Sequence, residues 1–312
     1  MSKTAIITGI YGQDAFFLRK KLISENYKVI GLTRKIRKSE ILDENITLYQ
    51  TSYTEKEIQK IFSKFDVDVV YHLCGQSKVA LSWIHIEETI NSQALIALSF
   101  LNTIQQFSSK TRFINASSSE IFRPKNNELI NEDYEFYPIN PYGVAQLFSF
   151  NLCTIFREKY NLFISNAILF PHESNKRNEL FVVRKMISTL KKISDGDKNK
   201  LILGNIDVVR DWGYAEEYTD AMYLMSQSDY PSDYCICSSV GMSVREILLY
   251  VLEYFNLDLN LCVEFDSNLT RYLDFEYVVG DNSKIRNDLN WKPKLYGSKL
   301  IEQLIKDELE LD

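Results

Sequence analysis

Proline is scarce, six residues in 312, and nowhere concentrated, so the chain holds no proline-rich linker. No segment repeats and none is of low complexity, which excludes a solenoid or a disordered array. No apolar run reaches the length of a membrane span. The apolar stretch after Met1-Ser2-Lys3-Thr4 is too short for the core of a signal peptide, so the expectation is a cytoplasmic protein off the membrane. Excess positive charge is missing too: 36 Lys and Arg against 42 Asp and Glu leave a net charge of −6. That argues against broad binding to nucleic acid or anionic lipid, although net charge says nothing about a single pocket. The five cysteines include no CxxC pair, and Cys235 and Cys237 alternate as in a strand, so they read as reduced core thiols. The three histidines, His72, His85 and His172, show no ligand spacing, and no metal is expected.

What is present has the balance of a soluble globular protein, 45% hydrophobic and 25% charged residues. Through the first half, short apolar runs at 4–8, 27–33, 46–50, 68–74, 111–117 and 163–170 read as buried strands. Segments of helical length and period lie between them, at 13–25, 54–64 and 86–107. The alternation predicts an α/β fold with a doubly wound parallel sheet, whose ligands gather at the strands' carboxyl edge. From about residue 171 the pattern loosens. A strand at 233–238 should return to the sheet, a capping box Ser243-Val-Arg-Glu246 should open a helix, and a last helix should run from Gly297. The division expected is a dinucleotide-binding domain over 1–170, with a returning segment near 205–240. A smaller, interleaved substrate-binding cap would occupy mainly 171–312.

The first strand runs into Thr8-Gly9-Ile10-Tyr11-Gly12-Gln13-Asp14-Ala15 and then a helix. Gly9 allows the tight turn, Gly12 lets backbone approach a pyrophosphate at the helix N-terminus, and Ala15 allows close packing, the arrangement of a Rossmann cofactor loop. The second strand ends in Arg34-Lys35, where cations would accommodate a 2′-phosphate, so NADP is the cofactor expected; the same residues also suit a solvated basic loop. Downstream, Ser117-Ser118-Ser119-Glu120 follows a strand, and Asn140-Pro141-Tyr142 opens a helix some twenty residues later. A hydroxyl facing a tyrosine can hold a sugar hydroxyl between them, with the tyrosine as base and Glu120 serving a second proton transfer. Taken singly, serine runs suit strand ends and Tyr142 could be a packed aromatic.

Longer blocks carry a resemblance: TGIYGQD at 8–14, GQSKVALSW at 75–83, ASSSEIF at 116–122, YPINPYGVA at 137–145, AILFPHESNKR at 167–177, FVVRKM at 181–186, LGNIDVVRDWGYAEEYTDAM at 203–222 and SVRE at 243–246. Across nearly its whole length the chain resembles the GDP-mannose 4,6-dehydratase family of extended short-chain dehydrogenases. The resemblance implies NADP-dependent oxidation at C4 of a GDP-hexose, loss of water across C5 and C6, and return of the hydride to C6. It implies catalytic roles for Ser118, Glu120 and Tyr142. Gly9, Tyr11, Gly12, Gln13, Asp14, Arg34, Lys35, Tyr142 and His172 would lie at the cofactor, and Lys185, Arg210 and Arg271 at the GDP portion, where arginine forks suit phosphate.

The chain also departs from that family. Gln146 stands where a Tyr-x-x-x-Lys lysine is expected, one turn beyond Tyr142 on the same face, and supplies no charge to lower the phenol's pKa. Thr51 replaces an aspartate near the adenine, Pro171 an asparagine at the phosphates, and Arg123 a glycine, which should narrow the site. The basic loop after Arg34 is shorter than the family's, which leaves a homodimer through two sheet-domain helices as the expected assembly and puts a tetramer in doubt. The leading reading is a GDP-hexose dehydratase. A diverged C4 oxidoreductase or epimerase and a non-catalytic nucleotide-binding paralogue are the alternatives.

Overall fold

The computed structural model describes residues 2–37, 43–125, 127–269 and 274–311. Strands form where the apolar runs stand: β1 Thr4–Thr8, β2 Lys28–Thr33, β3 Ile46–Gln50, β4 Val69–His72, β5 Arg112–Ser118 and β6 Ile164–Leu169. Tyr234–Ile236 joins them, giving the order Tyr234–Ile236, β6, β5, β4, β1, β2, β3, with every pairing parallel. Continuous apolar strands require cover on both faces, because each face buries side chains. That cover comes from α1 Gln13–Ser24, α2 Glu55–Phe62, α3 Val79–Ser82, α4 Ile86–Ile90, α5 Ile96–Phe107 and α6 Pro141–Tyr160, together with the helix Ala215–Gln227 against α1. The result is the doubly wound Rossmann sheet that the alternation predicts, and the order reverses between β1 and β4, where a crevice opens.

One helical expectation needs refinement. Residues 86–107 are not a single α-helix: α4 and α5 are joined by a π-helical turn, Asn91–Leu95. Such turns shift the helix face locally and often mark functional positions. Here the turn carries Gln93, which is buried toward the crevice.

Later segments build a second apolar cluster of their own. Helices Val182–Ser194, Val244–Tyr254 and Gly297–Leu309 pack Met186, Leu190, Ile247, Leu248, Leu300 and Ile301 together. The helix at Val244 begins with the capping box read from the sequence, Ser243 and Glu246 exchanging hydrogen bonds. Small paired strands, Val209–Asp211 with Gly241–Ser243 and Tyr277–Val278, join this cluster to the sheet's carboxyl edge. The buried Asp211 carboxylate fixes that junction, accepting from Ser238 N and Oγ at 2.7 and 2.6 Å, Ser239 N at 2.8 Å and Gly280 N at 3.2 Å. Among the described residues no helix is long and apolar enough to cross a membrane.

Candidate functional site

Two hollows flank the loop between β1 and α1. Gly9 has φ +68, and a Cβ there would press on Cys74 at 3.1–3.3 Å, so this turn favours glycine on both conformational and steric grounds. Gly12 is exposed at the N-terminus of α1, where unpaired N–H groups and the helix dipole favour an anion. On one side lies a hollow of about 740 Å³ lined by Arg34, Thr51, Ser52, Tyr53, Asn91 and Ser99. On the other lies a cavity of about 390 Å³ that includes Asp14, Gly75, Gln93, Ser118, Glu120, Tyr142, Gln146 and His172 in its walls. Ser117 Oγ, also in that wall, is buried with no hydrogen-bond partner among the described residues, a cost that a bound polar group would relieve. A glycine cradle between two hollows, with an unsatisfied hydroxyl in one, fits a dinucleotide.

Local packing assembles the Ser118, Glu120 and Tyr142 group. β5 ends at Ser118, whose hydroxyl accepts from Glu120 N at 3.2 Å. Asn140 caps α6 by accepting from Gly143 N at 2.8 Å, and its amide donates to Glu120 Oε2 at 2.8 Å, so one side chain ties the carboxylate to the start of the tyrosine helix. Gly143 is needed for that approach, since a Cβ there would lie 2.3 Å from the Glu120 carbonyl oxygen. Tyr142 hydrogen-bonds Ser118, and Gln146 Nε2 donates to its hydroxyl at 3.2 Å. The same amide donates to Gln93 Oε1 at 2.9 Å, and Gln93 in turn donates to the Gln76 carbonyl at 2.8 Å. Burial is the main influence on the Tyr142 phenol and raises its pKa above the ordinary value. Ser118, Gln146 and the charge of Arg177 pull it down, while Glu120 adds to the rise. At position 146 a neutral amide hydrogen-bonds the phenol without charging its surroundings.

The other predicted residues fall into different settings. Tyr11 accepts from Arg37 N at 3.1 Å. Gln13 is buried, donating to the His172 carbonyl at 3.2 Å and accepting from Ser174 Oγ at 2.9 Å. His172 Nε2 lies 3.0 Å from Asp14 Oδ1 and Nδ1 lies 2.7 Å from the Phe170 carbonyl. Burial pushes the Asp14 carboxyl up, but His172, and to a smaller degree Arg177, hold it below the usual range. Lys185 Nζ donates to the Ile202 carbonyl at 2.6 Å, outside the cavity lining. Arg210 lines the cavity but is paired with Asp274. Arg271 lies outside the described residues. Thr51 Oγ1 donates to Glu57 Oε2 at 2.8 Å. Pro171 is in the cavity wall, whereas Arg123 is exposed, stacks over Tyr137 at 4.7 Å and is not among the lining residues, so it does not narrow the site as expected. Sequence reasoning missed Gln93, Asn140 and Arg177. Asn140 had a signal, as a capping residue just before a proline, whereas Gln93 is placed only by the π turn.

Comparison with known proteins bears on the cofactor. The family described as GDP-mannose 4,6 dehydratase matches residues 6–304. GDP-mannose 4,6 dehydratase 2 of Arabidopsis thaliana is 34% identical over 327 residues, covering 99% of this chain and 87% of that protein. GDP-mannose 4,6 dehydratase of Cricetulus griseus is 31% identical over 342 residues, covering 99% and 92%. Among solved structures, Thermotoga maritima UDP-glucose 4-epimerase with UDP-glucose superposes with a TM-score of 0.87 at 20% identity, covering 98% of this chain and 99% of that one. Bacillus anthracis dTDP-glucose 4,6-dehydratase in complex with NAD gives 0.86 at 13% identity, covering 99% and 97%. At such identities the superpositions show the fold. The expectation of NADP is overturned: six of the solved neighbours are complexes with NAD, against one with NADPH. In the structure neither of the two cations behind that expectation stands as a free phosphate ligand. Arg34 pairs with Glu88 at 3.3 Å, and Lys35 is an exposed residue whose backbone closes a turn onto Thr33. A match over nearly the whole chain, at 34% identity to a curated member, places this protein in the GDP-mannose 4,6-dehydratase family.

Proposed function

We propose that the protein dehydrates a GDP-hexose, GDP-mannose in the first instance, to the 4-keto-6-deoxy sugar nucleotide with NAD as cofactor. The observation that carries this reading is the Glu120 carboxylate. It is tethered by Asn140 at 2.8 Å beside Tyr142 and in the same cavity, a group that C4 oxidation or epimerisation alone does not need. When bound, the dinucleotide supplies a reversible store for the hydride of the sugar carbon. Tyr142 Oη takes the proton of the C4 hydroxyl, with Ser118 and Gln146 hydrogen-bonding the tyrosine. Glu120 takes the C5 proton and passes it to the departing C6 hydroxyl, which leaves as water; the stored hydride then returns to C6, and the proton held by Tyr142 balances the one that C5 takes back. Gly9 and Gly12 admit the diphosphate of the dinucleotide, and Ser117 Oγ gains a partner on binding.

The substrate's GDP portion would lie toward the cap, residues 171–312, with Arg210 at the cavity wall and Lys185 and Arg271 as further cations of that half. Val144, Phe148 and Ile155 expose an apolar stripe along α6, each about half exposed, which supports a homodimer formed through that helix.

Mass spectrometry of GDP-mannose incubated with the protein and NAD tests the reading. Loss of one water from the sugar nucleotide supports it, and Glu120→Gln should abolish that loss. A 4-keto or epimerised product of another mass would favour a C4 oxidoreductase, and binding without change a non-catalytic relative. Calorimetric titration with each dinucleotide should show NAD binding more tightly than NADP.

A further inference from the structure

One turn beyond Tyr142 on its own helix stands Gln146, which carries no charge, yet the cavity is not without positive charge. Three cationic side chains line that cavity, Lys78, Arg177 and Arg210. Arg210 is paired with Asp274. Lys78 is partly exposed, with its ammonium 5.9 Å from the Phe181 ring. Arg177 is held differently. Its guanidinium stacks on the same Phe181 ring, 3.7 Å from the centroid, and its side chain is 19% exposed. Its Nε is buried without a hydrogen-bond partner among the described residues, and the nearest carboxylate oxygen, Glu173 Oε2, stands off at 3.9 Å.

That carboxylate is shared. Glu173 is 4% exposed and its Oε2 has no hydrogen-bond partner among the described residues. The charges of Arg177, His172 and Arg184 all act on it, with Asp14 opposing, and Arg184 is itself paired with Glu308 of the last helix at 2.9 Å. Burial nevertheless keeps the Glu173 carboxyl above its usual range, and at 3.9 Å its Oε2 makes no hydrogen bond to Arg177 Nε. On Tyr142 the charged groups that act are Glu120, which opposes ionisation, and Arg177, which favours it.

We propose that Arg177, stacked on Phe181 in the wall it shares with Tyr142 and Gln146, is the positioning cation for the tyrosine and stands in for the lysine absent from position 146. This rests on the reading of Tyr142 as the base. The proton passes from the sugar hydroxyl to Tyr142 Oη, and Arg177 remains charged throughout and exchanges none. Arginine suits the role because its charge is permanent even when partly buried.

The test is a pH titration of the full chain carrying tyrosine labelled with ¹³C at Cζ, with Tyr142→Phe assigning the signal, alongside the pH profile of kcat/KM. Arg177→Gln should lower the phenolate fraction of Tyr142 about tenfold at a fixed pH and move the ascending limb of the profile upward by the same factor. Arg177→Lys should retain most of the native behaviour. Gln146→Lys in the Arg177→Gln background should restore the phenolate, which a misfolded variant would not allow. An unmoved Tyr142 titration in Arg177→Gln overturns the proposal, including where only dinucleotide affinity falls. So does a shift seen with Lys78→Gln and absent with Arg177→Gln. The titration needs no substrate, so failure of the dehydratase reading shows in the product analysis, and failure of this proposal shows in the titration.

Discussion

Replacing Gln146 by lysine places an ammonium where a neutral amide now donates to the Tyr142 hydroxyl at 3.2 Å. Two unit charges at that separation interact by about 5 kcal/mol at an effective dielectric of about 20. Much of that is lost in drying the ammonium, because position 146 is only 4% exposed. Two acceptors are already in place for the new group, Gln93 Oε1 and Tyr142 Oη, so the lysine needs no rearranged partner. The net expectation is the fall of about 1–3 pH units that an opposite charge at contact imposes on an acid. The sign follows from the base role. Activity rises as pH climbs through the tyrosine's pKa, and burial now holds that pKa above the ordinary value near ~10. At pH 7 the native phenolate is therefore under about one part in a thousand. Gln146→Lys should move the ascending limb of kcat/KM to lower pH and raise the rate at pH 7 by about 10- to 1000-fold, with KM changed little. The assay is the rate of water loss from GDP-mannose between pH 6 and pH 10, chosen on the order of the phenol's range. An unchanged profile would refute the argument that charge at this position controls the base.

Three further outcomes follow from the packing. Gly9→Ala forces a side chain into a left-handed turn against Cys74, at a cost of about 1–2 kcal/mol; calorimetry should show dinucleotide Kd rising about tenfold, and an unchanged Kd would contradict the cradle. Asp211→Asn turns an amide N–H either toward the Ser238 donors or toward the backbone N–H groups of Ser239 and Gly280, so urea unfolding should show a loss of about 2–4 kcal/mol, against no change if those contacts carry nothing. Phe148→Glu charges the apolar stripe of α6, and light scattering should then report a monomer in place of the dimer proposed for the native chain; a native monomer would remove the stripe's proposed role.

Much of the sheet was readable because its strands are buried on both faces. Runs such as Ala5-Ile6-Ile7 and Val69-Val70-Tyr71 are apolar without interruption, and each lies where the run predicts. The Ser243–Glu246 capping box was equally legible, because its hydrogen bonds close within one turn. The cofactor's identity was misread because it rested on the charge of Arg34 and Lys35 and on what the resemblance implied, with no knowledge of what surrounds those two cations. Sequence does not show that Glu88, 54 positions away, comes within 3.3 Å of Arg34.

The sequence by itself determined the order of elements, the glycine loop and the identity of the residue at position 146, since each is set by local spacing or by composition. Tertiary structure alone decided what surrounds Tyr142. The π turn that turns Gln93 toward Gln146, the Asn140 tether on Glu120, and the loosely compensated Arg177 bring together residues from α6 and its cap, the π turn and the segments after β5 and β6. A phenol's readiness to ionise depends on burial and on charges within a few ångströms. Those distances exist only once the sheet has gathered segments that lie many residues apart in the chain.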